Sequence, residues 1–276
     1  MTSGGVNPVE ATRGEGPLIL AMPHAGTRVP ADIFARLNAE GRMLRDADWH
    51  VDRLYEGLLP DATIVRATFH RYVIDANRDP SGASLYPGQN TTGLVPLTNF
   101  DGEPIWEKRG EPDAGETARR LAGFHKPYHD ALAAEITRVK AAHGVAFLYD
   151  CHSIRSRIPY LFEGVLPDLN IGTNDGKSCA EAVERAARNA ATRSSYISIV
   201  NGRFKGGWTT RHYGNPRAGV HAVQMELAQS LYLASEEPPF AYDAENAERL
   251  RVVLGEILRG LAALAPALRH EGGAAK

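Results

Sequence analysis

The sequence predicts an α/β protein, a layered sheet with helices on both faces. Three observations carry this. Short β-rich apolar runs alternate along the chain with longer stretches of helical periodicity. No repeat, low-complexity block or linker-like tract divides the 276 residues, so residues 1–276 read as a single domain. Polar clusters, "PHAG", "DANRDP" and "DCHS", each follow an apolar run. In such sheets the ligand crevice lies beyond the carboxyl ends of the strands.

The elements follow in order. Residues 1–16 and 271–276 are expected to be frayed ends, leaving an ordered core of about 17–268. "PLILAMPHAG" is a buried strand entering a loop at His24, because Pro and Gly break the apolar run. "ADIFARLN" and "DADWHVDRLYEGLL" carry apolar residues near helical spacing. "ATIVRATF" and "RYVIDANRDP" are β-rich, the second ending in a polar turn. From Pro80 to Pro112 the chain is rich in Gly, Pro, Asn and Thr, and loops of that length are often lids or site walls. Residues 114–142 form a long amphipathic helix followed by the strand "VAFLYD". "SCAEAVERAARNA" is helix, "SYISIV" strand, "NGRFKGGWTTRHYGNP" a Gly-rich loop, "AVQMELA" strand, and "DAENAERLRVVLGEILRGLAAL" the final helix. Strand order is not readable from the pattern.

Charge and composition exclude several functions. Lys and Arg number 31 against 33 Asp and Glu, a net charge of −2, and no window gathers a basic run. Nucleic acid and acidic membrane surfaces are therefore not the expected partners. No apolar run approaches the ~20 residues that span a bilayer, and the N-terminus shows no secretory pattern. The 2 cysteines, Cys151 and Cys179, suggest no disulfide framework and fit a reducing compartment. A soluble, cytoplasmic protein acting on a small molecule is expected, as a monomer or small homo-oligomer.

The polar clusters bound the chemistry. Burying the acid, thiol and imidazole of "DCHS" costs several kcal/mol, about 2–7 per unpaired polar group, unless each finds a partner. His24 and His152 are candidate ligands, although a single His after a strand is more often a hydrogen-bonded loop residue. Asp48 and Asp52, one helical turn apart, share a face that is either solvated or ligating. His125 and His129 are four apart, but Pro127 between them disfavours a helix interior. Arg78 in "DANRDP" offers a planar fork for a carboxylate, or a surface ion pair with Asp75. Arg155, Arg157, Arg203, Lys205, Arg211 and His212 gather cations near one prospective cleft on a net acidic chain, which points to an anionic substrate. Glu226 stands in an otherwise apolar run, where a carboxylate needs a raised pKa or a paired charge. There is no G-x-S-x-G elbow, P-loop or G-x-G-x-x-G. Metal-assisted hydrolysis is the chemistry that survives.

Taken in order, "PHAG", "DADWHVDRLY", "RYVIDANRDP", "FHKPYH", "LYDCHS", "GGWTTRHYG" and "QMELAQ" resemble the N-formylglutamate amidohydrolase family over about residues 17–235. Each motif alone is weak; the ordered set is specific. The resemblance implies kinship with zinc carboxypeptidases and with the succinylglutamate desuccinylase and aspartoacylase enzymes, and hence a three-layer α/β/α fold around a mixed sheet. It implies one divalent metal ion, zinc first, on His24, an acid and His152. The related carboxypeptidases place Glu three residues after the first His, where this chain has Thr27. The acid is instead taken from "DADWHVD": Asp48, with Asp52 as the alternate. Asn77 and Arg78 match a substrate carboxylate grip and Glu226 the general base. Arg71 or Arg155 would steady the oxyanion, and Lys205, Arg211 or His212 the second carboxylate of a dicarboxylate substrate. The implied reaction cleaves N-formyl-L-glutamate to formate and L-glutamate, in histidine degradation. Two alternatives stay open: a deacylase of another N-acyl amino acid or a carboxypeptidase-like hydrolase, and a non-catalytic carboxylate-binding module.

Overall fold

Four of the apolar runs become the parallel centre of a seven-stranded mixed sheet in the computed structural model, which describes residues 7–84, 88 and 90–271. The strands are β1 (Val9–Thr12), β2 (Leu18–Met22), β3 (Thr63–Ala67), β4 (Ala146–Ile154), β5 (Leu169–Gly172), β6 (Ser198–Val200) and β7 (Val220–Ala228). Their order is β1-β3-β2-β4-β7-β5-β6, with β3, β2, β4 and β7 mutually parallel. β1 joins β3 antiparallel at one edge, and β5 joins β7 antiparallel near the other. The helices are α1 (Ala31–Phe34), α2 (Ala39–Arg42), α3 (Val51–Tyr55), α4 (Ala114–Arg120), α5 (Lys126–His143), α6 (Glu181–Thr192), α7 (Trp208–Tyr213), α8 (Ala244–Ala262) and α9 (Ala265–Glu271).

Alternation along the strands sorts the core into two layers. From β4, Phe147, Tyr149 and Cys151 pack with Leu54 of α3, Val183 of α6 and Leu250 and Leu254 of α8. Ala146 and Leu148 face the other way, onto Tyr128, Leu132 and Val139 of α5. The result is the expected three-layer α/β/α arrangement. Among the described residues no helix is long and apolar enough to cross a membrane.

Several local expectations are corrected. The ordered chain starts before residue 17, because Val9–Thr12 completes the sheet edge against β3. β5 lies in a stretch where no strand was expected. β4 does not stop at Asp150 but carries His152 and Ser153 inside its ladder. "DADWHVDRLYEGLL" is helical only over Val51–Tyr55, after His50 at φ 59° breaks the path, so Asp48 and Asp52 share no helix face. "RYVIDANRDP" is not a strand. Its backbone groups are taken up elsewhere: Asp75 N donates to Leu94 O at 2.7 Å, and Arg120 Nη1 donates to Val73 O at 2.9 Å.

The long helix is interrupted by one π turn, Leu121–His125, which places Pro127 in the first turn of α5 where its missing N–H costs nothing. His125 and His129 then lie together, ring centroids 4.4 Å apart. His129 Nε2 donates to Ala76 O at 2.7 Å and His125 Nε2 to Arg78 O at 3.0 Å. The helix thus grips the backbone on both sides of Asn77.

Glu116 supports the same frame by accepting from both Arg36 and Arg120. The Arg36 hydrogen bonds, then Arg120, hold its carboxyl down at about 2 from the usual 4.5. A depressed carboxyl stabilises above its unfolded pKa and loses that contribution as pH falls through the folded one. Glu116→Gln is expected to cost about 1–3 kcal/mol at pH 7. Urea midpoints of the variant should also vary less with pH between 4.5 and 2 than those of the wild type.

Candidate active site

β2 ends at Met22 and releases His24; β4 supplies Asp150 and His152; the turn before α3 supplies Asp48. One ligand atom from each of His24, Asp48 and His152 lies within 4.8 Å of the others, and all three side chains are buried. Nδ1 of His152 is 3.1 Å and Nδ1 of His24 3.8 Å from Asp48 Oδ2. The far nitrogens are braced: His24 Nε2 on Asp75 Oδ1 at 2.7 Å, and His152 Nε2 beside Asp150 Oδ1 at 3.1 Å. Asn77 Nδ2 is also 3.0 Å from His152 Nε2, while Asn77 Oδ1 accepts from Thr209 N at 2.8 Å. An imidazole whose second nitrogen rests on a carboxylate is the usual arrangement of a metal-ligating histidine.

Charge gives an independent test of fit. Around the triplet stand four buried carboxylates, Asp48, Asp75, Asp150 and Glu226. Two guanidiniums answer them: Arg71, with Nη1 3.4 Å from His24 Nδ1, and Arg78, with Nη1 3.6 Å from Asp75 Oδ2. Uncompensated buried charge is expensive, and this density of carboxyl groups suits positive charge at the centre of the triplet. The imidazoles respond in opposite directions. Burial opposes a charge on His152, yet Asp150 and Asp48 outweigh it and raise its pKa. His24 is lowered, by burial first and then by Arg71. The donor set and the charge both suit a metal ion.

Glu226 stands beside this triplet because β4 and β7 are parallel and in register, His152 pairing with Glu226. Gln224, on the same face of β7, donates from Nε2 to Glu226 Oε2 at 3.1 Å and accepts from Gly207 N at 2.6 Å. Burial pushes the Glu226 carboxyl up to about 8 against the opposing pull of His152.

These groups open onto a cleft of about 630 Å3, solvent at its mouth included, with polar walls from Asn90, Thr91 and Thr92 and apolar walls from Phe100, Leu161 and Phe204. The structure divides the predicted site residues sharply. His24, Asp48, His152, Glu226, Asn77, Arg78 and Arg71 line the cleft. Asp52 does not belong there: it pairs with Arg66 and is outside the lining. Arg155 is turned to Asp101 at 2.7 Å. Lys205 pairs with Asp175 at 3.1 Å, Arg211 Nε donates to Gly206 O at 2.8 Å, and His212 stacks on Trp208 at 4.2 Å. None of these four is in the lining: α7 begins immediately after Gly207 and carries Arg211 and His212 away, while Lys205 and Arg155 are turned to Asp175 and Asp101. Arg203, from the same loop, lines the cleft instead. Gln224 was missed, with period-2 spacing from Glu226 its one signal; Asn90–Thr92 and Phe100 belong to the Pro80–Pro112 stretch read as a lid or site wall.

A buried His–Asp–His triplet next to a carboxylate, at the carboxyl end of parallel strands, defines an α/β hydrolase with a candidate metal centre. The chain belongs to the N-formylglutamate amidohydrolase family, whose pattern matches residues 16–233. It is an amidohydrolase, acting on C–N bonds. It is 47% identical over 253 residues to the N-formylglutamate deformylase of Pseudomonas aeruginosa, covering 91% of this chain and 94% of that one. Against the N-formylglutamate deformylase of Pseudomonas putida the identity is 44% over the same shares. The crystal structure of N-formylglutamate amidohydrolase from Ralstonia eutropha JMP134 matches with a TM-score of 0.77 at 26% identity, over 96% of this chain and 100% of that one.

Gly207 is required by close approach rather than by its dihedrals. A Cβ there would stand 2.3 Å from Asn77 Nδ2 and 2.7 Å from its Cγ. Gly207→Ala should displace Asn77 from His152 and lower kcat/KM by roughly 10- to 100-fold. The check is steady-state turnover by a variant whose circular dichroism matches the wild type.

Proposed function

We propose that this amidohydrolase cleaves N-formyl-L-glutamate to formate and L-glutamate, in the cytoplasm and as a step of histidine degradation, with a divalent ion held by His24, Asp48 and His152. The observation that carries the reading is the pairing of that triplet with Glu226 across the β4–β7 register. The names of the two deformylases at 44–47% identity support the substrate. Two imidazoles and one carboxylate suit zinc first. When bound, such an ion supplies Lewis acidity to an amide carbonyl and lowers the pKa of water towards ~7.

The chain's own residues do the rest. Glu226 takes a proton from the attacking water as its oxygen bonds to the formyl carbon, and returns it to the glutamate nitrogen as the C–N bond breaks. Its raised proton affinity suits that transfer near neutrality, and Gln224 holds its Oε2 in place. Arg71, fixed by Asp75 within the cleft, is placed to steady negative charge on the carbonyl oxygen; Arg155 is committed to Asp101. Asp75 holds the His24 imidazole by a hydrogen bond, and Asn77 and Asp150 flank Nε2 of His152. The Asn77 amide holds His152 and accepts from Thr209 N, and Arg78 carries the positive charge on that wall of the cleft, so the α-carboxylate of the substrate is assigned to Arg78.

Formate release from N-formyl-L-glutamate, measured on the metal-loaded wild type, is the direct test; absence of turnover would refute the reading. Glu226→Gln should retain the metal and lose turnover by roughly 10²–10⁴-fold. His24→Ala and His152→Ala should each bring the metal content of purified protein, by elemental analysis, from stoichiometric to background.

A further inference from the structure

The cleft has two ends. One is metal-side: Arg78 touches Asp75, which braces His24, and follows Asn77, which meets His152. At the other end, three separate segments are tied together. Asn90 Nδ2 donates to Tyr160 O at 2.8 Å, Arg203 Nε to Leu161 O at 3.1 Å, and Arg203 Nη2 to Asn90 O at 3.3 Å. The short segment 90–92 joins the two ends. Arg78 donates to Thr92 O at 2.8 Å and to the Thr92 and Thr91 hydroxyls at 3.0 and 3.3 Å, while Arg203 holds Asn90. Both guanidiniums line the cleft, anchored two residues apart on one strip of backbone. Two steps along a chain span at most about 7 Å. Leu161 and Phe204 provide apolar wall beside Arg203.

Resting on the proposed deformylase reading, we infer that Arg203 is the specificity-determining residue for the substrate's side-chain carboxylate. The α-carbon of an N-formyl amino acid is bonded directly to the nitrogen at the reacting centre, so its carboxylate must bind at the metal-side cation, Arg78. A carboxylate three carbons further along reaches the opposite end, where Arg203, oriented by the Leu161 and Asn90 carbonyls, brings its guanidinium charge to the cleft wall. The methylenes next to that carboxylate meet Leu161 and Phe204 beside Arg203. The site thereby selects a dicarboxylate of glutamate length, and Lys205, next but one in sequence, has no part in the selection.

The test compares N-formyl-L-glutamate with its neutral isostere N-formyl-L-glutamine, on metal-loaded wild type, Arg203→Met and Lys205→Met. Loss of one charge-assisted contact should lower kcat/KM for the diacid by roughly 10- to 100-fold, mostly through KM, and leave the glutamine analogue within about 3-fold. Lys205→Met should keep the wild-type ratio. Equal losses on both substrates, or an unchanged diacid-to-amide ratio, would overturn the assignment while wild-type formate release leaves the deformylase reading standing. Should Arg203→Met melt well below the wild type, Arg203→Lys carries the test: KM for the diacid should rise several-fold with the amide unaffected, and an unchanged diacid KM overturns it.

Discussion

The structure around this cleft depends on one electrostatic constraint: four buried carboxyl groups crowd one site, with two guanidiniums placed among them. Asp48, Asp75, Asp150 and Glu226 are each under a tenth exposed, and Arg71 and Arg78 are the guanidiniums placed among them. A protein interior tolerates such an arrangement only when charge is matched and hydrogen bonds are complete. The two imidazoles turn this crowding into a defined place for positive charge, since each has one nitrogen on a bracing acid and the other facing Asp48. The residues that brace are therefore as much a part of the site as those that face the ion.

Geometry comes from the sheet. Parallel pairing of β4 with β7 sets residue 152 opposite residue 226, and the two-residue period puts Asp150, His152, Gln224 and Glu226 on one face. On the opposite face Tyr149, Cys151 and Met225 are ordinary core. A slip of one residue in either strand would send its half of the chemistry into the apolar layer. Register is held by the same apolar side chains that make the core, so stability and catalytic alignment are one requirement in this part of the molecule.

This explains which parts of the site could be read from the chain. His152 and Glu226 were legible because a polar residue inside an apolar run has no cheap explanation. His24 was legible because it follows a buried strand. The choice between Asp48 and Asp52 was not, since a residue in left-handed backbone at His50 undoes the helical spacing that linked them. The cations were the least legible. Arg203, Lys205 and Arg211 come from one Gly-rich stretch, and composition cannot tell which points inward. That depends on where α7 starts and on carbonyls of residues 90 and 161, far away in sequence. The fold class followed from alternating elements, whereas the irregular path of residues 71–78 did not, because their β-rich composition reflects burial rather than a ladder.

That irregular segment is where the parts of the site meet. Asp75 braces His24, Asn77 touches His152, and Arg78 enters the cleft, all within four consecutive residues. A strand could not do this, since alternate side chains would point to opposite faces. The segment must turn while buried, and so its carbonyls need partners other than a neighbouring strand. Arg120, His125 and His129 supply them from one helical stretch, taking the carbonyls of Val73, Arg78 and Ala76. The π turn at Leu121–His125 changes the helical phase between Arg120 and the two histidines. Ligand orientation and the placement of Arg78 therefore share one mechanical support, and neither can shift without moving the other.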